Sequence, residues 1–240
     1  MKDYPEGLGA FGRKLHKFVP TMAERVLLTE FSSRRRRIEA GEELVDGDRP
    51  VQQAYVLHEG WACSYRQMSD GSRQIFDFRL PGDFVGLMGL MVDGVNYNVV
   101  ALTDVVVSEV NASKLVSTFR QSPMLAEGVL WSLSGDNAIL AEHIVNIGRR
   151  GALERTAHLM IEIGYRLNRV GFAPADRYEC PLTQKDLAEA LGITHVHLNR
   201  VLRQLREEEM LSFNDHIVTL HDMPALTRLA EFEPAYLNNS

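Results

Sequence analysis

The chain has 240 residues, of which 45% are hydrophobic and 24% are charged, and its formal net charge is −6. This length allows two domains with separate cores, and the composition is that of an ordinary globular protein. The negative charge gives no general attraction to nucleic acid, so cationic surfaces must be sought locally. The N-terminus does not resemble a signal peptide, and no apolar run reaches membrane-spanning length. These features predict a cytoplasmic protein without a membrane partner.

The use of cysteine excludes several kinds of site. The two cysteines, Cys63 and Cys180, are far apart and form no Cys-x-x-Cys motif. A disulfide framework and a cysteine-ligated zinc or iron–sulfur centre are therefore not expected, which agrees with a reducing compartment. The sequence predicts no metal and no cofactor.

Short strands separated by glycine turns are predicted up to about Asn111. Strands are expected over 55–58, 61–67 and 74–80, and a valine-rich strand region follows over 99–110. Regularly spaced strands of this kind indicate an antiparallel roll or sandwich. The arginine run 34–37 opens this region, and a solvated strand edge explains it better than a nucleic-acid contact.

A long helix with a coiled-coil seam is predicted in the region that follows. Apolar residues recur at spacings of three and four, and one asparagine interrupts them. Such a seam predicts a homodimer, because a buried polar residue fixes register and oligomeric state at a cost in stability. The alternative is an ordinary amphipathic helix that packs on its own domain, and Gly135 weakens the helix prediction. The seam residues are Leu130, Leu133, Asn137, Leu140, Ile144 and Ile147.

Two short helices joined by a glycine turn are predicted near the C-terminus. Thr183 and Asp186 have the spacing of a capping box, so Thr183 is expected to cap the first helix and Gly192 to end it. Thr194 can cap the second helix, in which apolar residues at i, i+3, i+4 and i+7 give one buried stripe. This pattern predicts a helix-turn-helix. The stripe consists of Leu198, Val201, Leu202 and Leu205.

The opposite face of the second helix is cationic. From Thr194 to Arg206 there are three arginines, two histidines and no acidic residue. Arginine can bind O6 and N7 of guanine with two hydrogen bonds, and valine can contact the methyl group of thymine. His195 and His197 lie roughly 200° apart around a helix, so they cannot chelate one ion, but each can approach a phosphate. The expected DNA contacts are Thr183, Gln184, Thr194, His195, Val196, His197, Asn199, Arg200 and Arg203. A hairpin wing is expected over 211–220, with its turn at 214–215.

From about Val26 to Leu220 the sequence resembles the Crp/Fnr superfamily of bacterial transcription regulators. Three features carry the resemblance in order: the roll that ends in Pro-Gly-Asp-Phe-Val-Gly-Leu-Met-Gly-Leu at 81–90, the seam helix, and the winged helix-turn-helix. The resemblance implies an α+β chain with an N-terminal helical segment and an antiparallel jelly-roll similar to cyclic-nucleotide-binding domains over 1–122. A dimerisation helix over 123–150 and a winged helix-turn-helix DNA-binding domain over 151–240 would follow. It also implies a homodimer on an inverted-repeat operator in double-stranded DNA, which recruits or blocks RNA polymerase.

The sequence departs from the family pattern where an effector would bind. Cyclic-nucleotide-binding members carry a glutamate after the glycine that corresponds to Gly86, and an arginine–serine pair near position 97. Here the acid for the ribose and the cation for the phosphate are both missing, so the effector is unknown and is not expected to be cyclic AMP. Haem would need an axial ligand, and His58 is the only nearby histidine. The residues of this vestigial pocket are Gly86, Leu87, Gly89, Leu90, Tyr97 and Asn98.

Three further points stay open at the level of sequence. Many relatives have a glutamate where Val196 stands, so the preferred half-site is expected to differ at that base pair while Arg200 keeps its guanine. Cys180 lies three residues before Thr183 and is either a redox-sensitive thiol near DNA or a plain small hydrophobe. Besides a DNA-binding regulator, the alternatives are a sensor of redox state or of an unidentified small molecule, and a metal-dependent roll enzyme. The enzyme would need clustered histidines, and the roll offers only His58.

Overall fold

The computed structural model describes residues 9–92 and 94–238. An N-terminal helical segment comes first, with α1 over Ala10–Lys14 and α2 over Met22–Phe31. At the start of α2 the Thr21 hydroxyl accepts a hydrogen bond from the Glu24 amide, and the Glu24 carboxylate accepts one from the Thr21 amide. This reciprocal capping box fixes where the helix begins.

In the part of the chain that the structure describes, the roll has eight strands in two antiparallel sheets. Their bounds are β1 Arg35–Ile38, β2 Glu43–Val45, β3 Ala54–Glu59, β4 Ala62–Gln67, β5 Arg73–Arg79, β6 Phe84–Val85, β7 Asn98–Ala101 and β8 Val105–Val110. One sheet has the strand order β1–β8–β3–β6 and the other β2–β7–β4–β5.

The valine-rich region 99–110 forms two strands, which lie in different sheets. Between β7 and β8 the amides of Leu102 and Thr103 both donate to the carbonyl oxygen of Trp61, at 2.8 and 3.3 Å. These bonds hold the chain in a turn where it crosses from one sheet to the other. The sequence did not indicate where this region divides, because the crossing depends on Trp61, which is distant in sequence.

The chain divides into two compact units, one of residues up to Gln67 with Phe78–Ser134, and one of Met68–Asp77 with the residues from Gly135 onward. In the first unit, aliphatic side chains fill the space between the two sheets. A separate cluster in the same unit joins α1 and α2 to the outer face of β3. The interior of the roll is therefore apolar; its buried members include Val45, Leu57, Val85, Val99 and Val107.

Helices dominate the rest of the chain. α3 spans Ala112–Gln121 and begins at Asn111, whose side chain accepts a hydrogen bond from the Lys114 amide. α4 spans Pro123–Arg149, a length of 27 residues, and α5 spans Ala152–Arg169. Gly135 lies inside α4 without ending it. Among the described helices, none is both long and apolar enough to cross a membrane.

The second unit contains a winged helix-turn-helix. Its elements are α5, β9 Arg177–Glu179, α6 Gln184–Leu191, α7 His195–Glu207, β10 Leu211–Asn214, β11 Ile217–Leu220 and α8 Met223–Ala230. The three strands form an antiparallel sheet in the order β10–β11–β9. The α+β architecture predicted from the sequence, with an antiparallel roll, a long helix and a winged helix-turn-helix, is confirmed.

After α8 the chain returns to α5 and packs on it. The rings of Phe232 and Tyr236 lie 5.2 and 6.4 Å from the ring of His158. The Tyr236 hydroxyl donates to the carboxylate of Glu162 at 2.8 Å. This terminal segment closes the polar side of α5 with aromatic rings.

Candidate nucleic-acid interface

The position of α6 follows from its capping residues. The Thr183 hydroxyl accepts a hydrogen bond from the Asp186 amide at 3.1 Å, and Asp186 Oδ2 accepts one from the Thr183 amide at 2.9 Å. Gly192 ends the helix with φ 61°, in the left-handed region that glycine adopts at low cost. The amide of Ile193 then donates to the carbonyl oxygen of Ala188 at 3.1 Å. The predicted start and end of this helix are confirmed.

The orientation of α7 is set by its cap and its buried stripe. Thr194 accepts a hydrogen bond from the His197 amide at 3.2 Å. Leu198, Val201 and Leu205 are buried, whereas Leu202 is only partly so. The stripe is therefore narrower than predicted, because Leu202 lies at its edge and faces a surface depression.

The opposite face of α7 is open. Val196 keeps 61% of its surface exposed. Arg200 and Arg203 are exposed and form no ion pair with any described residue, so both guanidinium groups are available to a partner. The side-chain amide of Asn199 donates to the backbone carbonyl oxygen of His195 at 3.2 Å, so part of the hydrogen-bonding capacity of this side chain is used within the helix. The predicted contacts Thr194, His195, Val196, His197, Asn199, Arg200 and Arg203 are all exposed, whereas Thr183 is exposed and Gln184 partly exposed at the start of α6.

A depression of about 310 Å³ lies between α7 and the wing. Arg203, Arg206, Gln184 and Asn214 are among the residues that line it. Cationic and amide donors around one hollow suit a phosphate group. Sequence reasoning missed Arg206 and Asn214. The spacing of three between Arg200, Arg203 and Arg206 was a signal for the first, but the approach of the wing was not visible in the sequence.

The wing turns one residue later than predicted. Asp215 and His216 have φ 48° and 58°, and Asn214 is still part of β10. Two successive residues with positive φ form a type I′ turn, whose twist matches that of a two-stranded hairpin. The predicted turn at 214–215 is corrected to Asp215–His216.

The thiol of Cys180 is not at the DNA-facing surface. Its side chain is fully buried, and burial raises its pKa to about 12. A thiol that stays protonated and inaccessible is a poor target for oxidation. Closeness to Thr183 in sequence was misleading, because the segment between them turns the thiol into the core. The structure gives no support to a redox role. Among the residues described, no group of three or more metal-ligating side chains is assembled.

The residues predicted to form a vestigial pocket are distributed over two apolar clusters. Gly86 has φ 71° and precedes a short 3₁₀ helix, Leu87–Leu90. A Cβ atom on Gly89 would lie 2.5 Å from a methyl group of Val51, so the chain passes close to that side chain. The side chain of Leu87 is buried in the cluster with α1 and α2, and Leu90 packs against that cluster. Tyr97 packs on the roll interior, and Asn98 accepts a hydrogen bond from the Gly47 amide at 3.3 Å.

The seam residues of α4 do not all behave alike. Leu130 and Ile144 are 61% and 71% exposed, and Ile147 and Asn137 are also exposed. Leu140 is partly buried. Leu133 packs against the core of the first unit, so part of its surface is already used within the chain. A row of exposed apolar residues remains along the helix.

Two family models match this chain. One describes a cyclic nucleotide-binding domain and covers residues 35–122; the other describes a Crp-like helix-turn-helix domain and covers residues 154–229. They coincide with the roll and with the winged helix-turn-helix. The chain belongs to the Crp/Fnr family of transcription regulators.

Similar Crp/Fnr proteins agree with this assignment. The fumarate and nitrate reduction regulatory protein of Vibrio cholerae is 26% identical over 203 residues, which cover 85% of this chain and 81% of that protein. The transcriptional regulatory protein btr of Bordetella pertussis is 24% identical over 202 residues, 84% of this chain and 83% of that protein. The solved structure of FixK2 from Bradyrhizobium japonicum gives a TM-score of 0.73 at 28% identity, over 82% of this chain and 96% of that chain.

Proposed function

We propose that this Crp/Fnr regulator binds an inverted-repeat operator as a homodimer, with α7 of each subunit in the major groove. The observation that carries the proposal is the division of α7 into two faces. Leu198 and Leu205 are fully buried, whereas Arg200 is exposed and without an ion pair among the described residues. The packing that holds the helix therefore directs the guanidinium group of Arg200 away from the protein.

Base reading is assigned to the middle of that exposed face. Arg200 binds O6 and N7 of a guanine, and Val196 contacts a thymine methyl group. His195 and His197 flank them and approach phosphates on either side of the groove. Thr183, Gln184 and Thr194 lie at the starts of α6 and α7, where side chains and amides can also contact the backbone of DNA.

A backbone phosphate is assigned to the depression beside the wing. Arg203 and Arg206 would supply the charge, and the amides of Gln184 and Asn214 would supply further hydrogen bonds. Contacts to phosphate fix the register of the protein on DNA but carry no sequence information. They make binding depend steeply on salt concentration, because each neutralised phosphate releases counterions.

The dimer is assigned to α4. Leu130, Ile144 and Ile147 leave a row of apolar surface that a second copy of the helix would cover. Asn137 in the same row would fix the register of the pair. Two α7 helices related by a twofold axis would meet half-sites centred about 34 Å apart, and the operator would be an inverted repeat.

The regulator acts by binding and not by catalysis, and in the cytoplasm, where its DNA lies. RNA polymerase is the expected protein partner of such a complex. The signal is a ligand other than cyclic AMP, because Leu87 and Tyr97 stand where the acid and cation of a cyclic-nucleotide site would be. A redox signal through Cys180 is not part of the proposal.

The test uses an operator selected by the protein from a pool of random duplexes. Arg200→Ala should lose about 1–3 kcal/mol per half-site and relax the choice of base at one position of each half-site. Its weak, salt-sensitive affinity for random DNA should persist. The measurement is competitive binding of operator and scrambled duplexes at fixed salt, with thermal unfolding to verify the fold. Arg149→Ala, at the exposed end of α4, is the control and should keep the preference. A folded Arg200→Ala protein with wild-type preference would show that α7 is not the reading helix.

A further inference from the structure

A cavity of about 290 Å³ lies between the N-terminal helical segment and the roll. It belongs entirely to the first unit and opens on the outer face of the sheet that contains β1, β3 and β8. Alternation along β3 defines this face: Leu57 points into the roll interior, whereas Val56 packs with α1 and α2, and His58 lines the cavity. The cavity is thus separated by a sheet from the interior of the roll.

The protonation of His58 can be read from its hydrogen bonds. The Ser108 hydroxyl lies 2.7 Å from the carbonyl oxygen of Ser32, which can only accept, so Ser108 donates its hydrogen there. His58 Nε2, 2.7 Å from the Ser108 oxygen, must then carry a hydrogen and donate it. The other ring nitrogen, Nδ1, is left as an acceptor, and among the described residues it has no hydrogen-bond partner.

The state of His58 is fixed by its surroundings. The residue is 6% exposed, and burial, with Arg35 as a further cause, lowers its pKa to about 4. The ring is therefore neutral near pH 7, and its Nδ1 is free to accept a hydrogen bond from a bound molecule.

Arg35 brings an unpaired positive charge to the same cavity. Its neighbours on β1 are paired, Arg36 with Glu109 and Arg37 with Asp104. Arg35 lines the cavity and forms no ion pair with a described residue. Its guanidinium group lies near Gly9, another lining residue. A Cβ atom added to Gly9 would be 3.9 Å from Nη2 of Arg35.

The remaining walls are largely apolar, and the size is small. Phe11 and Leu28 supply hydrocarbon surface, and Thr29 and Ser33 supply hydroxyls at the rim. At about 30 Å³ per water-sized group, the space accommodates about ten non-hydrogen atoms. A cation, an unpartnered acceptor and an apolar wall around such a volume select an anion with a hydrogen-bond donor.

We propose that this cavity is an effector site for a small organic acid that carries a hydroxyl or amino group. The carboxylate pairs with Arg35, the donor binds His58 Nδ1, and the hydrocarbon part packs on Phe11 and Leu28. Neither Gly86 nor Leu87 is a lining residue of the site, and its occupation is measured without DNA. Failure of the operator assignment would therefore leave this proposal intact, and failure of this proposal would leave the operator assignment intact.

The test is a calorimetric titration of the whole protein with 3-hydroxybenzoate, 4-hydroxybenzoate and 2-hydroxy-4-methylpentanoate. Benzoate lacks the donor and phenol lacks the charge, so they serve as matched probes. At least one hydroxy acid should bind one per chain and at least about tenfold more tightly than benzoate or phenol. Nitrogen NMR should show a shift of the His58 Nδ1 resonance when that acid binds.

Arg35→Gln and Arg34→Gln form the matched pair of variants. Both arginines are exposed, but only Arg35 lines the cavity. Arg35→Gln should weaken binding of the hydroxy acid at least about tenfold, whereas Arg34→Gln should change it less than about twofold. Three results would each overturn the proposal: no saturable binding of any hydroxy acid, equal affinity for benzoate, or equal weakening by the two variants.

Discussion

Leu87 and Tyr97 stand at the positions where the family resemblance leads us to expect the acid and the cation of a cyclic-nucleotide site. The surrounding side chains are hydrocarbon, with Gly86 and Gly89 against Val45 and Val51. A phosphate buried there would lack both a cation and enough hydrogen-bond donors to offset its loss of hydration. Calorimetric titration with cyclic AMP or cyclic GMP should therefore show no saturable binding in the micromolar range. Saturable uptake would mean that the pocket has been adapted and not lost.

His158 lies in a buried polar network at the start of the second unit. Its Nδ1 accepts a hydrogen bond from Asn146 at 3.0 Å, and Arg150 donates to Asn146 and Glu142 at 2.8 and 3.1 Å. His158 Nε2 lies 3.4 Å from Glu142, which would favour the charged ring. Burial outweighs this attraction and, with Arg150, lowers the pKa of His158 to about 4. The His158 ring is therefore neutral in the folded protein near pH 7, and it takes up a proton at higher pH in the unfolded chain.

The depressed pKa of His158 gives a signed prediction for stability. A histidine in the unfolded chain binds a proton near pH 6.5, whereas folded His158 binds one only near pH 4. Between these values the unfolded state therefore binds more protons, so the free energy of unfolding decreases as pH falls. Between pH 7 and pH 5 the wild type should lose on the order of 2 kcal/mol more free energy of unfolding than His158→Gln, whose amide can still accept from Asn146. Urea unfolding at both pH values measures the difference.

Glu162 changes the free energy of unfolding with pH in the opposite direction to His158, but this does not affect the comparison of the two proteins. Burial raises its pKa to about 6 from 4.5, so it adds stability as pH falls through that window. This contribution of Glu162 is the same in the wild type and in His158→Gln, so it cancels when their losses of stability are compared. Equal losses of stability in the two proteins would mean that His158 is already charged in the folded state.

At the scale of elements, the proposed dimer depends on the exposed apolar row of α4. Ile144 belongs to the apolar row and, at 71%, is its most exposed member in the single chain. Ile144→Asp would place a charge in a dimer interface without disturbing a contact in the monomer, so sedimentation should show monomers and operator binding should fall. Val116→Asp on α3, where the valine is 47% exposed, is the control and should remain dimeric. A dimeric Ile144→Asp protein would place the interface elsewhere.

For the whole molecule, the net charge of the chain and the charge of the proposed DNA-binding face of α7 have opposite signs. The chain carries −6 overall, whereas α7 presents Arg200, Arg203 and Arg206 together. General attraction to DNA is therefore weak, and binding depends on the local arrangement of a few cations. Composition alone could not indicate a nucleic-acid partner.

The parts of this fold that could be predicted are those specified by neighbouring residues. Thr183, Asp186 and Gly192 define α6 by local hydrogen bonds and backbone conformation, and the stripe of α7 follows from helical spacing. What was missed depends on residues far apart in sequence. The turn between β7 and β8 is held by hydrogen bonds to the carbonyl oxygen of Trp61. The core of the first unit covers part of Leu133, and the side chain of Cys180 is buried. The cavity at His58 needs Ser108 and Arg35 as well, and no pattern along the chain joins them.

The two faces of α7 also bear on how such a regulator can diverge. Stability depends on Leu198, Val201 and Leu205, whereas Val196 and Arg200 are exposed and their replacement would disturb little within the chain. With α7 as the proposed reading helix, single substitutions on its exposed face would change the DNA sequence that is read while the scaffold is retained. Regulators that share this scaffold can acquire separate sets of target genes after duplication, with few intermediate forms that fail to fold.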